Sequence, residues 1–455
     1  MIPFVGVPNT ILRRRRCANA KGMSAYREVF CREEGFEHVS RYISGLLLSE
    51  NKTLQGIHAQ QVYFEGKASS RRAMHTAVFE AGWDSEGLMQ QHRVIVGKQH
   101  QECGREIISL DWTLSHHEDG FDIYGVKRSY DYVNHCMSRF QTVVTAVIAN
   151  PQQTDGIAVE VQIPDFSEAE RGYLKMTAQP SYEEMEQVMQ RLVELLHHQK
   201  NQLAYRKRTE MVVDIVRQIE AEGQFPKADY AFDNGVLTLG LTQLIEASGK
   251  HWVSEIECSR LILWNGQWGR VDTVATQLRV EHPESFRHLQ VRCRNGAVKE
   301  CWAFTKTVRL KRYGRKRLVI VHEQADLSDT PRFLLTDALH WESARVIQTW
   351  SYRWACEIFH EFCKQVAGFE SAQVRTEEAV KRHFRLSCVA QSLLGQAACQ
   401  GKKLERFAFA NEKQTVGQRL YSLTREVYHQ LLHLVQALFA QGQTCEQVLE
   451  VIIPD

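Results

Sequence analysis

Trp350-Ser351-Tyr352-Arg353-Trp354-Ala355-Cys356-Glu357-Ile358-Phe359-His360-Glu361-Phe362-Cys363-Lys364 is the stretch on which the reading of this chain turns. Arg353, Glu357 and Lys364 follow one another by four and seven residues, about three helical turns in all, so a helix points all three the same way. Trp350 falls on the same stripe, and Ile358, Phe362 and Val366 form a separate apolar row expected to face a core. Spacing alone favours an exposed helix carrying an ordinary Arg–Glu ion pair. What precedes this helix in the chain carries the argument further.

Upstream, the period of the apolar residues is that of strands. Val319–Val321 and Phe333–Leu335 are the last strand candidates, and residues 258–330 read as a β-rich insertion, with Leu261–Trp264 before Asn265-Gly266 and Leu289–Cys293 before Asn295-Gly296. Tyr230-Ala231-Phe232 is a short apolar run ending at Asp233. An Asn-Gly turn, a helix through Leu241, Leu244 and Ile245, a stop at Gly249 and a strand over Trp252, Val253 and Ile256 follow it. Strand, helix, strand is a parallel crossover, which places functional groups at the carboxyl ends of its strands. Asp233 stands at such an end, whereas its rival Asp229 precedes the apolar residues.

Further upstream, Ile107, Ile108 and Leu110 form another run that stops at Asp111, so Asp111 is also expected at a strand end. Phe121–Val126, Phe140–Ile148 and Ile157–Ile163 read as an antiparallel meander, the last two joined through Asn150, Pro151, Asp155 and Gly156. Pro180 and a Ser181-x-x-Glu184 capping box open a long helix whose apolar face includes Val188, Met189, Leu192, Leu195 and Leu196. The class expected is mixed α/β. Residues 1–97 form a helical N-terminal domain and 98–257 the first part of a core. The core resumes at 331–392 after the insertion, and 393–455 is a helical C-terminal region.

Composition narrows the function classes. At 455 residues with 44% hydrophobic and 24% charged content the chain can bury a large core, and no run of roughly 18 apolar residues suggests a membrane span. The Arg13–Arg16 run follows the mildly apolar start instead of preceding it, so no export signal is expected, and a cytoplasmic protein is. Twelve cysteines without a Cys-x-x-Cys pair fit a reducing compartment. Cys356, His360 and Cys363 fall on one helical face but lack an evident fourth ligand, and they are read as packing. A net charge of +2 says little about partners. There is no P-loop, no dinucleotide glycine motif and no His-Glu-x-x-His, so these sequence signatures give no support to nucleotide hydrolysis, hydride transfer or zinc proteolysis.

The quoted helix resembles the Tyr-x2-Arg-x3-Glu-x6-Lys signature of a large group of bacterial insertion-sequence transposases, here Trp350-x2-Arg353-x3-Glu357-x6-Lys364, with three of four positions matched. Val374-Arg375 with His383 is also similar to that group. Asp111-Trp112-Thr113 resembles the first catalytic strand and the run ending at Asp233 the second. The likeness covers roughly residues 107–391, with weaker agreement in the helical N-terminal part.

The resemblance implies a ribonuclease H-like core and a catalytic, metal-binding triad of Asp111, Asp233 and Glu357 holding two Mg²⁺ ions, which Mn²⁺ could replace. It also implies cleavage at transposon ends followed by strand transfer. Double-stranded DNA, both terminal inverted repeats and target, would be the partner, met by a homodimer close to the nucleoid. Two carboxylates about 4 Å apart repel by roughly 4 kcal/mol at an effective dielectric near 20, so such a triad requires cations, and hard oxygen ligands suit Mg²⁺ or Mn²⁺. Arg353, Lys364, Trp350 and Arg375 are the DNA-binding candidates, with Lys311 and Arg312 in a second basic cluster and Arg206–Arg208 in a third, for which a solvated surface is an equal reading. Trp264, Trp268 and Trp302 read as core residues rather than base-stacking platforms. With tryptophan at the signature's tyrosine position, a hairpin step that depends on that tyrosine is not expected of this chain.

Overall fold

A computed structural model describes residues 7–8, 22–62, 69–101, 104–117, 120, 122–165, 185–200, 205–294, 296–397 and 415–452. It is a mixed α/β structure built on one sheet with helices on both faces. The strands are β1 (Ile107–His116), β2 (Lys127–Asp131), β3 (Cys136–Ala149), β4 (Thr154–Gln162), β5 (Asp229–Phe232) and β6 (Trp252–Glu255). They continue as β7 (Leu261–Trp264), β8 (Gln267–Arg270), β9 (Arg287–Arg292), β10 (Val298–Leu310), β11 (Gly314–His322) and β12 (Arg332–Thr336). Their order is β8-β7-β10-β11-β12-β6-β5-β1-β3-β2, with β4 paired to β3 and β9 to β10. Only β1–β5 and β5–β6 are parallel; every other pair in this sheet is antiparallel.

The apolar runs are continuous where the sheet is covered on both faces. Val143–Ala149 is buried throughout, as a strand with helices above and below requires. Alternation then divides them. Val143 and Val147 pack with α1 (Glu33–Leu48) and with α11, which is Glu377–Gln396. Val144, Ala146 and Ile148 pack with α6 (Arg208–Glu222), and the same core reaches α7 (Leu239–Ala247) and α8, which is Val271–Glu281.

The helices between these are α2 (Leu54–Ala59), α3 (Arg71–His75), α4 (Ser85–His100), α5 (Met185–Lys200), α9 (Ser343–Ser351) and α10 (Trp354–Gln365), with α12 (Val416–Ala440) and α13 (Cys445–Ile452) last. The N-terminal helices share one apolar core with α11, joined by a buried hydrogen bond between the Tyr42 hydroxyl and His383 Nδ1 at 2.9 Å.

Several expectations change in detail. Phe121 lies outside the described residues, and 122–126 is a turn, with Gly125 at φ 82°; the strand begins only at Lys127. Positive φ at that point suits a glycine and ends any extended run. Asp155 and Gly156 lie inside β4, at a bulge where the register with β3 shifts between Ala146 and Val147. The Ser181 capping box, Leu195 and Leu196 fall outside the described residues or side chains, and Met189 is exposed instead of facing a core.

Two helices are absent from the strand-based reading, α6 and α8, the second set within the β-rich segment. The strands of that segment, β7 to β11, extend the same sheet through β12. Their hydrogen-bonding edges meet the core sheet's edge, a long-range pairing that local patterns do not encode.

Arg93 fastens the two halves of this architecture. It is almost fully buried on α4, and its guanidinium donates to both oxygens of Glu222 on α6 at 2.6 Å, to Glu86 at 2.9 Å and to the Ile157 carbonyl at 3.1 Å. Removing one member of a buried ion pair leaves the other desolvated and uncompensated. Arg93→Met is expected to lower stability by about 3–5 kcal/mol in urea unfolding, and Glu86→Gln, whose carboxylate is more exposed, by much less.

Candidate functional site

The register of the parallel ladder places two acids together. Ile107–Leu110 pair with Asp229–Phe232, Leu110 opposite Phe232, so Asp111 and Asp233 are the next residue on each strand. Alternation then sets their faces. Leu110 and Phe232 lie in the core beneath α6 and α7, whereas Ile107 and Ala231 pack with Tyr352 and Ala355 on the opposite face. Asp111 and Asp233 share parity with the latter pair and therefore belong to the face covered by α9 and α10.

Asp111 is not a strand terminus. β1 runs on to His116 against β3, with Asp111 opposite Thr145, although its parallel neighbour β5 has ended. Asp233 does end its strand, in a turn where its Oδ1 accepts the amides of Gly235 and Val236 at 3.0 and 3.2 Å. Gly235 fits closely there: a Cβ would lie 3.2 Å from the Trp112 ring and 3.3 Å from Asp233 Oδ1. Asp229 sits at the other end of β5, 3.5 Å from Arg105.

Glu357 comes from the first turn of α10. The predicted continuous helix is broken: α9 ends at Ser351, and i→i−3 bonds from Tyr352, Arg353, Ala355 and Cys356 tighten the junction before α10. Arg353 at this break links the acids, with Nη2 2.5 Å from Glu357 and Nη1 3.9 Å from Asp111.

Burial pushes the Asp111 carboxyl up to about 7, and the negative charge of Asp233 adds to the effect, with a smaller push from Glu357; the Trp112 amide and Arg353 oppose them. One guanidinium thus leaves Asp111 undercompensated. Sequence reasoning missed Glu255, the last residue of β6. Its carboxyl is raised by burial and by Asp233, with Arg332 and Arg353 opposing, and it lies 3.6 Å from Arg332. Its signal was available, since it ends the strand of the same crossover that supplies Asp233.

Breaking the helix also rotates its faces. Ala355, Cys356, Phe359, His360 and Cys363 form the buried row of α10, and Ile358, Phe362 and Val366 are only half-buried. Trp350 is not on a DNA-facing stripe: it is 8% exposed in the core with Val346 and Ile347, its ring 5.1 Å from the Arg353 guanidinium. Tyr352 is likewise buried.

Lys364 is paired with Glu370 at 3.4 Å instead of standing free beside Glu357. Arg375 is 74% exposed, 3.7 Å from Asp122. Lys311 and Arg312 are exposed in the β10–β11 turn, whose Tyr313 hydroxyl donates to the Leu237 carbonyl at 3.3 Å, just past the Asp233 turn. Arg208 of the third basic run stacks 4.2 Å over Trp112, next to Asp111. Of the three insertion tryptophans, Trp264 and Trp302 pack at the core's edge and Trp268 is exposed.

Cys356 and His360 do share a cluster, but with Asp111 in place of Cys363; the three ligand-type atoms lie within 4.8 Å of one another. Cys363 is buried elsewhere in the core near Cys388. Burial raises the Cys356 thiol and lowers His360 to about 3, and the Thr145 hydroxyl lies 2.7 Å from His360 Nε2. A neutral thiol, a neutral imidazole and a hydroxyl make this a hydrogen-bonded seam of helix on strand.

No helix among the described residues is long and apolar enough to cross a membrane. The chain matches no protein-family model and no curated protein.

The raised Asp111 carboxyl has a signed consequence. Between the ordinary value of 3.8 and about 7 the native state holds a proton that the unfolded chain has lost, so stability falls as pH rises across that window. Thermal melts of metal-free protein are expected to find Asp111→Asn no more stable than the parent below pH 4, and more stable at pH 8. A difference that does not grow with pH would contradict the convergence of charge.

Proposed function

We propose that the protein is a DDE transposase, cutting DNA at transposon ends and joining the freed ends to target DNA on a ribonuclease H-like core. The observation that carries this reading is the shared face of Asp111 and Asp233 past a parallel ladder, with Arg353 reaching both Asp111 and Glu357. Further support comes from the strand order β4-β3-β1-β5-β6, antiparallel up to β1 and parallel from β1 to β6, followed in the chain by a helix that carries the third acid. That order fits the core implied by the signature helix.

The donor set fits Mg²⁺ or Mn²⁺, since three carboxylates are hard oxygen ligands and Asp111 lies in a field that a single arginine does not neutralise. Asp111, Asp233 and Glu357 would hold the metal, and Glu255 borders them. When bound, a pair of divalent ions supplies an activated attacking oxygen and a stabilised leaving oxygen for in-line displacement at phosphorus.

The chain's own residues do the rest. Arg353 serves as counter-ion to Asp111 and Glu357 in the free protein, and it is placed to turn to a phosphate beside the scissile bond once those acids are otherwise satisfied. Arg208, Lys311 and Arg312 line the approach on the same edge, as positive charges that position a backbone without reading sequence. The Gly235 and Val236 amides, bonded to Asp233 Oδ1, keep the Asp233 turn in place.

Incubation of the protein with Mg²⁺ and DNA bearing its flanking inverted repeats is expected to yield nicked or cut ends and then joined products. Glu357→Gln should reduce cleavage by at least a hundredfold while leaving gel-shift affinity within a few-fold. Cleavage surviving in that variant would remove Glu357 from the site; cutting without joining would favour a nuclease of another kind on the same core.

A further inference from the structure

At the other end of the central strands, Arg105, Arg292 and Arg345 surround a cavity of about 380 Å³, with Gln290, Val291, Ala344 and Gln348 completing the wall. Arg105 precedes β1 and Arg292 ends β9, while Arg345 stands in the first turn of α9. Six residues of extended chain, roughly 20 Å, separate Arg105 from Asp111, so this is not the acidic site.

Charge here is unbalanced in the opposite sense. Asp229, 3.5 Å from Arg105, is the one carboxylate within ion-pair distance of any of the three guanidiniums among the described residues; Glu300 is engaged by the Gln290 amide at 3.2 Å. Arg105 and Arg345 both stack on the Trp341 ring, at 4.9 and 4.3 Å, which holds two like charges side by side. The Nε of Arg105 is buried with no acceptor.

Burial lowers the Arg105 pKa, Arg345 lowers it further, and Asp229 opposes only in part. Ala344 and Arg345 of the first turn of α9 line the same cavity, and Glu342 gives that helix no side-chain cap, so the positive end of the helix lies beside it. Three guanidiniums around one cavity, two of them fixed on the same tryptophan ring and only one of them paired with a carboxylate, suit a tetrahedral oxyanion.

We infer that this cavity is a phosphate-binding site, held by Arg105, Arg292 and Arg345 and separate from the carboxylate cluster. The phosphate could belong to a DNA backbone or to a free phosphate compound, and the two are separable. Arg292 and Arg345 are exposed, so the double variant Arg292→Gln/Arg345→Gln is expected to fold.

Calorimetric titration of the full chain with pyrophosphate should show one saturable site, weakened at least tenfold in the double variant and unchanged in Glu357→Gln. If the occupant is a DNA phosphate, the slope of log affinity for duplex DNA against log salt should also fall by about 0.9 in the double variant. A lost pyrophosphate site with an unaltered DNA slope would assign the cavity to a free phosphate compound. Pyrophosphate binding that is absent from the parent, or equal in the double variant, overturns the proposal whether or not the protein cuts DNA.

Discussion

Everything at the acidic face depends on a four-residue parallel ladder. With Leu110 opposite Phe232, the residue after each faces the same way at the same level, and a slip of one residue would send one acid into the core beneath α6 and α7. Such a slip would bury a carboxylate in the apolar core that holds Leu110 and Phe232, which costs several kcal/mol unless it is paired. The apolar residues on both faces thus hold the acids in register, although none of them takes part in chemistry.

Two opposite electrostatic imbalances flank this ladder. At its carboxyl end Arg353 faces Asp111, Glu357 and Glu255 while Asp233 adds its charge to Asp111, and the Asp111 carboxyl is pushed up to about 7. At its amino end three arginines gather with Asp229 alone as a paired carboxylate. Folding tolerates both because cores elsewhere are large and because buried charges elsewhere have partners of their own: Arg93 is held by Glu222, Glu86 and the Ile157 carbonyl, and Asp155 Oδ2 by His100 at 2.8 Å and Gln153 at 2.6 Å. Unbalanced charge concentrated at two places marks candidate sites for ligands.

The break between α9 and α10 shows how a local irregularity reassigns roles. A single straight helix would have put Trp350, Arg353, Glu357 and Lys364 on one stripe. The tightened junction instead buries Trp350 beside Val346 and Ile347, turns Arg353 into a bridge between strand and helix, and brings Cys356 and His360 onto Thr145. Lys364, two turns on, is taken up by Glu370.

Local pattern was enough for much of this. Short apolar runs located β1, β3, β4, β5, β6, β9, β11 and β12, the Asn265-Gly266 turn marked the β7–β8 hairpin, and apolar runs ending in acids pointed to Asp111 and Asp233. These signals are legible because burial on one or both faces leaves its period in the chain. Nothing local revealed that β7 to β11 extend the main sheet, that the Arg353 helix is broken, or that Arg105, Arg292 and Arg345, far apart in sequence, share a cavity. Those features arise from pairing and packing between distant segments, where the decisive free energy lies in which surfaces meet, and a one-dimensional pattern does not record the partner.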